Sequence, residues 1–391
     1  MRMAKEKPKA STDPKVVRRL LLSSNSLWNI ENFRRFLVEA FERDGWAVVI
    51  AAPATDEERL GFSLPGRLVP IPIRRSGTNP FQDVALFRAY RRMMRSEKPV
   101  AYLSWTIKPN VYGACAARIA GIPAILNVSG LGTAFLSGRL LGRFVSLLYK
   151  FAFKKASIVF FQNSDDRALF LERGLVRADQ AQLLPGSGIN LEHFSYDPLP
   201  DDGGFRFLLV ARLLGDKGIR EYVEAARIVR RQLPAARFQL LGPLDKGNRT
   251  AISPEELASW SREGVVEYLG GAKDVRPYIA AASAIVLPSY REGLPRTLLE
   301  GAAMGRPLIA TDVPGCRDVV EDGGNGFLCE ARNANSLARA MLKLAGLDFD
   351  RRAAMGARSR EIAERRFSEE LVAQAYVMAL AQVIGHGRSA S

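Results

Sequence analysis

The chain has 391 residues, of which 47% are hydrophobic and 25% are charged. This length exceeds what a single hydrophobic core comfortably serves, and it favours two domains of roughly 150 to 200 residues each. Three widely spaced cysteines and only two histidines argue against a disulfide framework and against a His-rich zinc site. The cysteines are typical of reduced thiols in a cytosol-like compartment.

The formal net charge of +15 is concentrated in one half of the chain. Residues 1–190 carry 29 Lys and Arg against 15 Asp and Glu, whereas residues 191–391 carry 27 against 26. A basic half-molecule indicates a polyanionic partner, which could be nucleic acid, anionic lipid or a phosphate-bearing substrate. An arginine-rich composition without functional meaning is the alternative.

Short apolar runs rich in β-branched residues alternate with longer helical stretches, which is the pattern of parallel sheets with crossover helices. The strands predicted in the first half are Val17–Leu22, Trp46–Ala51, Arg67–Ile73, Val100–Ser104, Pro123–Asn127 and Ser157–Gln162. Those predicted in the second half are Arg206–Val210, Arg237–Leu241, Val265–Leu269, Ala284–Pro288, Pro307–Thr311 and Gly326–Cys329. A stretch rich in Gly, Pro, Asp and Asn, Pro185–Gly204, is the predicted linker.

The predicted domains are a disordered basic tail at residues 1–15, a first α/β domain at residues 16–190 and a second at residues 191–367. Ser368, followed by two glutamates, predicts the start of a final helix over residues 368–385. The first fifteen residues lack the apolar core of a signal peptide. The longest uncharged run, Ile119–Gly138, contains too many glycines for a membrane-spanning helix.

Several catalytic classes lose their main support because their motifs are absent. The chain has no G-x-x-x-x-G-K-[ST], no G-x-G-x-x-G after the first strand, no H-E-x-x-H and no C-x-x-C. Asp348 and Asp350 form a literal D-x-D, a pattern that can hold a cation. They lie in a charged helical connector, so we interpret them as a solvated turn.

The segment after the predicted strand Ala284–Pro288 carries the clearest functional pattern. A glycine-containing turn leads to Pro295, and a helix is predicted to begin near Arg296. Such a turn and helix start offers free backbone N–H groups and the positive end of the helix dipole, which suits a phosphate. Glu292 and Glu300 flank this point and can bind hydroxyl groups on either side of a diphosphate. The alternative is an acidic cap and a surface glutamate.

A second pattern follows the first strand of the second half, where Arg212, Lys217 and Gly218 precede a helix. Two cations around a glycine suit the β-phosphate of a nucleotide leaving group. The alternative is that Arg212 pairs with Asp216 and that Lys217 is solvated.

These two segments resemble the motifs of the family 4 retaining glycosyltransferases, which have the two-domain GT-B fold. The resemblance implies an α/β protein in which two Rossmann-like domains face each other across a cleft. It places the nucleotide sugar on the second domain and the acceptor on the first, and it implies that the last helix packs back on the first domain. It also implies that no cofactor and no divalent metal is required, the nucleotide sugar being a substrate.

The resemblance assigns roles residue by residue. Glu292 is expected to contact the donor sugar and Glu300 the ribose. Arg212 and Lys217 are expected to stabilise the departing diphosphate. The other donor-binding candidates are Gly218, Gly293, Leu294 and Pro295.

Three segments of the first half are similar to the capsule and lipid-linked-oligosaccharide branch of that family: Lys108–Gly113, Asn127–Phe135 and Leu184–Asn190. Members of this branch, among them an enzyme that extends undecaprenyl-diphospho-bacillosamine, transfer a sugar to a polyprenyl-diphosphate carrier at the cytoplasmic face of the membrane. The reaction implied moves an N-acetylhexosamine or hexose from a UDP-linked donor. The acceptor-side candidates are Thr106, Lys108, Asn110, Gly130 and Gly132.

A basic helix is a further expectation for the first half. Arg139, Arg143, Lys150 and Lys154 recur at helical spacing among apolar residues, which suits an anionic membrane surface. A second basic cluster lies within Arg88–Lys98. The alternative is an ordinary helix with a solvated basic edge. Nucleic-acid binding is disfavoured, because the clusters interleave aliphatic residues and no known nucleic-acid module is present.

The expected location is peripheral, on the inner face of the plasma membrane. Two other classes of function stay open at this point. One is a GT-B sugar-nucleotide epimerase, which shares the architecture and transfers nothing. The other is a non-catalytic protein that binds a membrane surface or nucleic acid.

Overall fold

The computed structural model describes residues 18–73, 80–130, 147–201, 203–245 and 247–388. The predicted tail at residues 1–15 lies outside them. Two parallel β-sheets, one in each half of the chain, organise the described residues, and helices cover both faces of each sheet. This arrangement is the α/β architecture that the sequence predicts.

The first sheet consists of seven parallel strands. In chain order, β1 to β7 are Arg19–Ser23, Ala47–Ala52, Arg67–Pro70, Ala101–Trp105, Ala124–Val128, Ile158–Phe161 and Ala181–Leu183. Their order across the sheet is β3-β2-β1-β4-β5-β6-β7. Sequence patterns do not predict β7, because three residues with a central Gln182 give no periodic signal.

The second sheet consists of six parallel strands. In chain order, β8 to β13 are Arg206–Val210, Arg237–Leu241, Glu267–Tyr268, Ala284–Leu287, Leu308–Thr311 and Gly326–Cys329. Their order across the sheet is β10-β9-β8-β11-β12-β13. The bounds of β8, β9 and β13 are those predicted, whereas β10 is shorter than its apolar run.

Helices connect most successive strands as crossovers, and further helices follow the last strand. In chain order, α1 to α6 are Leu27–Phe33, Arg35–Arg43, Asp56–Leu60, Pro80–Glu97, Ala114–Ile119 and Ser164–Glu172. In the second half, α7 to α13 are Ile219–Arg230, Pro254–Glu263, Arg276–Ala281, Arg296–Ala303, Ala334–Ala345, Phe349–Arg366 and Glu369–Arg388. Residues 147–153 are also helical, and a π-helical turn, Pro109–Gly113, leads into α5.

Both faces of the first sheet are buried, which explains why its strands are apolar on both sides. Leu21 of β1 packs in the cluster that contains residues of α4, α5, α6 and the helical stretch 147–153. Leu20 and Leu22 point to the opposite face, where α1, α2 and α13 contribute the partners. The alternation follows from the two-residue period of a strand.

The last helix returns to the first sheet. The hydroxyl oxygen of Tyr376 in α13 accepts hydrogen bonds from Trp105 Nε1 at 2.8 Å and from Asn127 Nδ2 at 3.1 Å. Ser368 caps this helix, because its Oγ accepts from the Leu371 N–H at 3.3 Å. The helix extends to Arg388, three residues beyond the predicted end. The chain therefore passes from the first sheet to the second and returns to the first in α13.

Candidate active site

Strands β8 and β11 are neighbours in the second sheet, and the chain winds away from them in opposite directions. In an open parallel sheet, such a switch point leaves a crevice at the carboxyl ends of the strands, where ligands bind. Residues 211–218 follow β8 and residues 288–295 follow β11. The Tyr290 N–H donates to the Asp216 carbonyl at 2.9 Å, which holds these two loops together.

Gly218 allows the two loops to approach. Its φ of +71° lies in the left-handed region, and a Cβ atom would clash with the carbonyl oxygen of Pro288. Any other residue would push the loops apart. Gly218 thus shapes the crevice through its backbone, directly before α7 begins.

Lys217 and Glu292 meet at this crevice. The Lys217 ammonium donates to Oε1 of Glu292, and the two side chains are 25% and 13% exposed. The interpretation of Lys217 as a solvated side chain is therefore wrong. A cation and a carboxylate at one point can bind an anion and a hydroxyl group side by side.

Arg212 has a different partner from the one that the sequence suggested. Its Nη1 donates to Oδ2 of Asp245 at 2.7 Å, so the alternative pairing with Asp216 is wrong. The Arg212 side chain is 57% exposed. Its guanidinium therefore stays accessible to an incoming anion.

Glu300 lies in α10, which Thr297 ties to the second sheet by donating its Oγ1 hydrogen to the Val210 carbonyl at 2.9 Å. Oε1 of Glu300 accepts from Nε of Arg296 at 3.0 Å. Burial raises the pKa of Glu300 above the usual carboxyl value, and the Arg296 guanidinium opposes this rise. Glu300 is thus a mostly buried carboxylate with one close cationic partner.

Arg296 connects Glu300 to the first domain. Its guanidinium carbon lies 4.9 Å from the ring centroid of Phe33, the last residue of α1. Its Nη1 donates to the Gly188 carbonyl in the linker at 3.4 Å. Sequence patterns do not select Arg296, because its role depends on a ring that is far away along the chain.

The three residues after Glu292 shape the loop. A Cβ atom on Gly293 would clash with the Ser129 carbonyl of the first domain. Leu294 packs in the core of the second domain, beside Gly186. Pro295 is the N-cap residue of α10, which begins at Arg296, where the sequence predicted the helix start. These contacts fix the path of the loop between Glu292 and α10.

The first sheet has its own switch point, between β1 and β4. Thr106 follows β4 with a φ of +73°, which is strained for a residue other than glycine. Its Oγ1 accepts from the Asn25 N–H at 3.2 Å. Thr106 thus joins the loops after β1 and β4 at the edge that faces the second domain.

Lys108 and Asn110 are turned into the first domain. Lys108 Nζ donates to Oδ1 of Asp83 at 2.9 Å, and both side chains are mostly buried. Asn110 is 1% exposed; its amide accepts from Ser104 Oγ at 2.8 Å and donates to the Asn127 carbonyl at 2.7 Å. The expectation that Asn110 faces an acceptor is wrong, because its side chain is buried and hydrogen-bonded between β4 and β5.

Gly130 lies where the two domains touch. Its φ is +135°, and a Cβ atom there would lie 3.7 Å from the Cα atom of Gly293. Gly130 therefore adjoins the loop that carries Glu292. Gly132 lies outside the described residues.

The basic stretch of the first half is exposed where it is described. Lys150 and Lys154 are exposed, and so are Leu147 and Phe151 of the same stretch, by 66% and 58%. Their spacing puts all four on one side of a helix. The other two basic residues expected on this helix, Arg139 and Arg143, lie outside the described residues.

The second basic cluster lies on α4. Arg88, Arg92 and Arg95 are exposed, and neither these nor Arg91 form an ion pair with any described residue. Helix α5 contacts α4 on one side, and Arg118 of α5 donates to the Phe151 carbonyl at 3.3 Å on the other. Helix α5 thus contacts both of the elements that carry the basic clusters. Among the described residues, no helix combines the length and the apolar character needed to cross a membrane.

The D-x-D pair serves as a helix start. The carboxylate of Asp348 accepts from the Arg351 N–H at 2.8 Å and caps α12, and Asp350 lies in the first turn. Within the described ranges, no group of three or more His, Cys, Asp or Glu residues could hold a metal ion.

The start of α6 contributes residues that sequence patterns did not select. Asn163 and Asp166 contact Arg291 and Gly293, which flank Glu292. The available signal was an Asn-Ser-Asp-Asp run directly after a predicted strand. Such a run predicts a helix cap at the carboxyl edge of a parallel sheet, where sites form.

Two Rossmann-like domains with a charged crevice at a switch point define a protein of the GT-B architecture. Residues 30–186 match the family model described as "Glycosyl transferase 4-like domain", and residues 204–346 match "Glycosyl transferases group 1". The chain belongs to this family of glycosyltransferases, as its sequence motifs predicted.

Two enzymes are similar to the chain over most of its length. The N,N'-diacetylbacillosaminyl-diphospho-undecaprenol alpha-1,3-N-acetylgalactosaminyltransferase of Campylobacter jejuni is 26% identical over 91% of this chain and 96% of its own. The UDP-Gal:alpha-D-GlcNAc-diphosphoundecaprenol alpha-1,3-galactosyltransferase of Escherichia coli is 25% identical over 67% and 70%. The resemblance to the capsule and lipid-linked-oligosaccharide branch is thereby confirmed.

Solved structures agree on the fold. HepE of Anabaena, solved with UDP and glucose, superposes with a TM-score of 0.75 over 93% of this chain and 99% of that one, at 19% identity. At this identity the likeness establishes the fold alone, and it confirms the GT-B prediction.

Proposed function

We propose that the protein transfers a sugar from a UDP-linked donor to a saccharide carried on a polyprenyl diphosphate, with retention of anomeric configuration. The observation that carries the proposal is the Lys217–Glu292 pair at the switch point of the second domain. The leaving diphosphate is anionic and the sugar presents hydroxyl groups, so a cation beside a carboxylate matches both sides of the bond that breaks.

Each side chain has a separate role in the proposed reaction. Glu292 binds the donor sugar and Glu300 binds the ribose. The exposed guanidinium of Arg212 leaves Asp245 to bind the diphosphate. Lys217 stabilises the negative charge that develops as the sugar–phosphate bond breaks. The acceptor hydroxyl attacks the anomeric carbon from the face that the diphosphate leaves, and a phosphate oxygen takes its proton.

The proposal includes no cofactor and no divalent metal. Arg212 and Lys217 follow the same strand and supply two positive charges for the diphosphate. Fixed cations in a preformed site stabilise developing charge without reorganisation during the reaction. Turnover that is unchanged after dialysis against a chelator is the expected result, and a strict requirement for added Mg²⁺ would contradict this part.

A lipid-linked acceptor is supported from two sides. The Campylobacter and Escherichia relatives are named for saccharides linked to undecaprenyl diphosphate. The first half carries two exposed basic clusters, one on α4 and one at residues 147–154. Anionic lipid attracts each basic residue near its surface with about 1 kcal/mol, and exposed Leu147 and Phe151 can enter the interface. We therefore place the protein peripherally on the inner face of the plasma membrane.

A panel of UDP- and GDP-linked sugars, scored by thermal shift, tests the donor. A UDP-sugar is expected to raise the unfolding temperature, because a ligand that binds only the folded state stabilises it by mass action. The stabilising sugar nucleotide is then incubated with a polyprenyl-diphosphate saccharide, and transfer is followed by mass spectrometry. No stabilisation by any sugar nucleotide in the panel would contradict the proposal.

The same assay separates the alternatives. An epimerase converts its sugar nucleotide in the absence of any acceptor, whereas a transferase needs the acceptor to form product. A non-catalytic binding protein keeps its function when Glu292 is replaced by Ala. The proposal expects that Glu292→Ala lowers the rate of transfer by about 10²-fold or more.

A further inference from the structure

The two residues that flank Glu292 are held by the opposite domain. Nη2 of Arg291 donates to Oδ1 of Asp166, and the Gly293 carbonyl accepts from Nδ2 of Asn163 at 2.8 Å. Asn163 and Asp166 stand at the start of α6 in the first domain. Glu292 lies in a loop of the second domain, and the first domain therefore binds both the residue before it and the residue after it.

These contacts form one connected group. Oδ2 of Asp166 accepts from Nδ2 of Asn163 at 3.2 Å, and Oδ1 of Asn163 accepts from the Asp166 N–H at 2.7 Å. The Asp166 side chain is 1% exposed. A carboxylate at this depth depends on its partner, because a buried charge without one is strongly unfavourable. Arg291 is thus the partner that the burial of Asp166 requires.

The loop has little freedom to move between its neighbours. A Cβ atom on Gly293 would clash with the Ser129 carbonyl on the side of the first domain. A Cβ atom on Gly315 would clash with the Gly293 carbonyl on the other side. The Glu292 N–H also donates to the Pro314 carbonyl at 3.4 Å. The backbone of Glu292 is confined from both directions.

We propose that Asn163 and Asp166 are positioning residues for Glu292. They hold residues 291–293 in the orientation in which the Glu292 carboxylate meets Lys217. The acceptor domain thereby completes the donor site, so the site is assembled only while the two domains are in contact. This inference rests on the proposed glycosyl transfer. Its physical basis is preorganisation, since a misplacement of about 1 Å can slow a reaction by about 10²-fold.

Asp165 provides a matched control in the same helical turn. It also pairs across the domains, with Nη1 of Arg317 at 3.4 Å, but these side chains are 39% and 40% exposed. An exposed ion pair of this kind contributes little to stability. Asp165→Asn and Asp166→Asn make the same chemical change at neighbouring positions and differ in burial and in the loop that they contact.

The test compares kcat, the KM for the donor and the unfolding temperature of these variants with those of the full-length wild type. Asp166→Asn is expected to lower kcat by about 10²-fold with a change in donor KM of less than about 3-fold. Asp165→Asn is expected to keep kcat within about 2-fold of wild type. Equal kcat values for the two variants would overturn the inference.

A second variant keeps the inference testable if Asp166→Asn does not fold. Asn163→Ser keeps a side chain that can cap α6 but is too short to reach the Gly293 carbonyl. It is expected to lower kcat by about 10-fold while the unfolding temperature stays near that of wild type. A lowered unfolding temperature with unchanged kcat would show a purely structural role.

The decisive comparison uses a Glu292→Gln background. If Asp166 acts through Glu292, adding Asp166→Asn to Glu292→Gln causes no further loss, because residues that act as a unit are not additive. A further loss of the same size as in wild type would overturn the inference. Absence of turnover in the wild type with every sugar nucleotide would instead contradict the proposed function.

Discussion

Nζ of Lys217 donates a hydrogen bond to Oε1 of Glu292, between two loops that follow neighbouring strands of the second sheet. Each of the two residues is followed by a glycine that allows the side chains to come into contact. Gly218 lets its loop approach Pro288, and Gly293 lets the other loop press against Ser129. The ion pair therefore depends on two glycines as much as on its own charges.

Lys217→Ala is expected to lower kcat by about 10²- to 10³-fold, because it removes one group that stabilises charge in the transition state. Steady-state transfer assays with saturating donor measure this effect. Lys343→Ala is the control, since Lys343 is an exposed lysine on α11 of the same domain. Unchanged turnover in Lys217→Ala would contradict the leaving-group role.

Arg212→Ala is expected to weaken the binding of UDP by about 10-fold or more, because it removes a hydrogen bond between charged groups. Asp245→Asn is expected to strengthen the binding of UDP, since Arg212 no longer has to leave a carboxylate partner. Isothermal titration calorimetry with UDP measures both. Arg231→Ala, an exposed position at the end of α7, is expected to bind UDP like wild type. Equal affinities for all variants would exclude Arg212 from the diphosphate site.

Glu300→Gln is expected to make the protein more stable at neutral pH and less able to bind the donor. Burial raises the pKa of Glu300 in the folded state, so the folded protein holds this proton more tightly than the unfolded chain. Stability from this group is full below the ordinary carboxyl pKa of about 4.3 and falls as the pH rises through the raised value.

The variant should therefore unfold at a higher temperature than wild type near neutral pH, and the difference should vanish below about pH 4. Thermal unfolding across this pH range measures it. Glu57→Gln, at an exposed position of α3, is expected to show no such dependence. A Glu300→Gln variant less stable than wild type at neutral pH would show that the Arg296 pair outweighs burial.

Removing Arg92 and Arg95 together should weaken binding to anionic vesicles by about 30-fold, since each basic residue near the surface contributes about 1 kcal/mol. Flotation with phosphatidylserine-containing vesicles across a salt series measures this. The control removes Arg351 and Arg365, two exposed arginines of α12 in the second domain. Equal losses in both double variants would show that net charge alone governs binding.

Tyr376→Phe is expected to lower the free energy of unfolding by about 2 to 4 kcal/mol, because two buried donors, on Trp105 and Asn127, lose their acceptor. Urea denaturation measures it. Tyr268→Phe removes one partly buried hydrogen bond, to the Gly242 carbonyl at 3.1 Å, and is expected to lose less than about 1.5 kcal/mol. If Tyr376→Phe lowered the free energy of unfolding less than Tyr268→Phe does, the docking of α13 would not depend on the hydrogen bonds of Tyr376.

Much of the fold could be predicted because each element has a local signature. The strands β8, β9 and β13 coincide with apolar runs between helical stretches, and Ser368 caps the last helix as its sequence context predicts. Strand β7 could not be predicted, since three residues at a sheet edge carry no period. Asn110 was assigned to the wrong environment because its buried partners come from two different strands.

Residue type and spacing alone determined that Lys217, Gly218 and Glu292 lie between a strand end and a helix start, because turns and caps depend on neighbouring residues. They also determined that Glu300 lies in the helix that follows. Only the tertiary structure decided which of them meet. Lys217 pairs with Glu292 across 75 positions, and Asp166 pairs with Arg291 across 125. Such pairs depend on the order of the strands and on the contact between two domains. No local pattern contains that information, because it arises only when distant segments pack together.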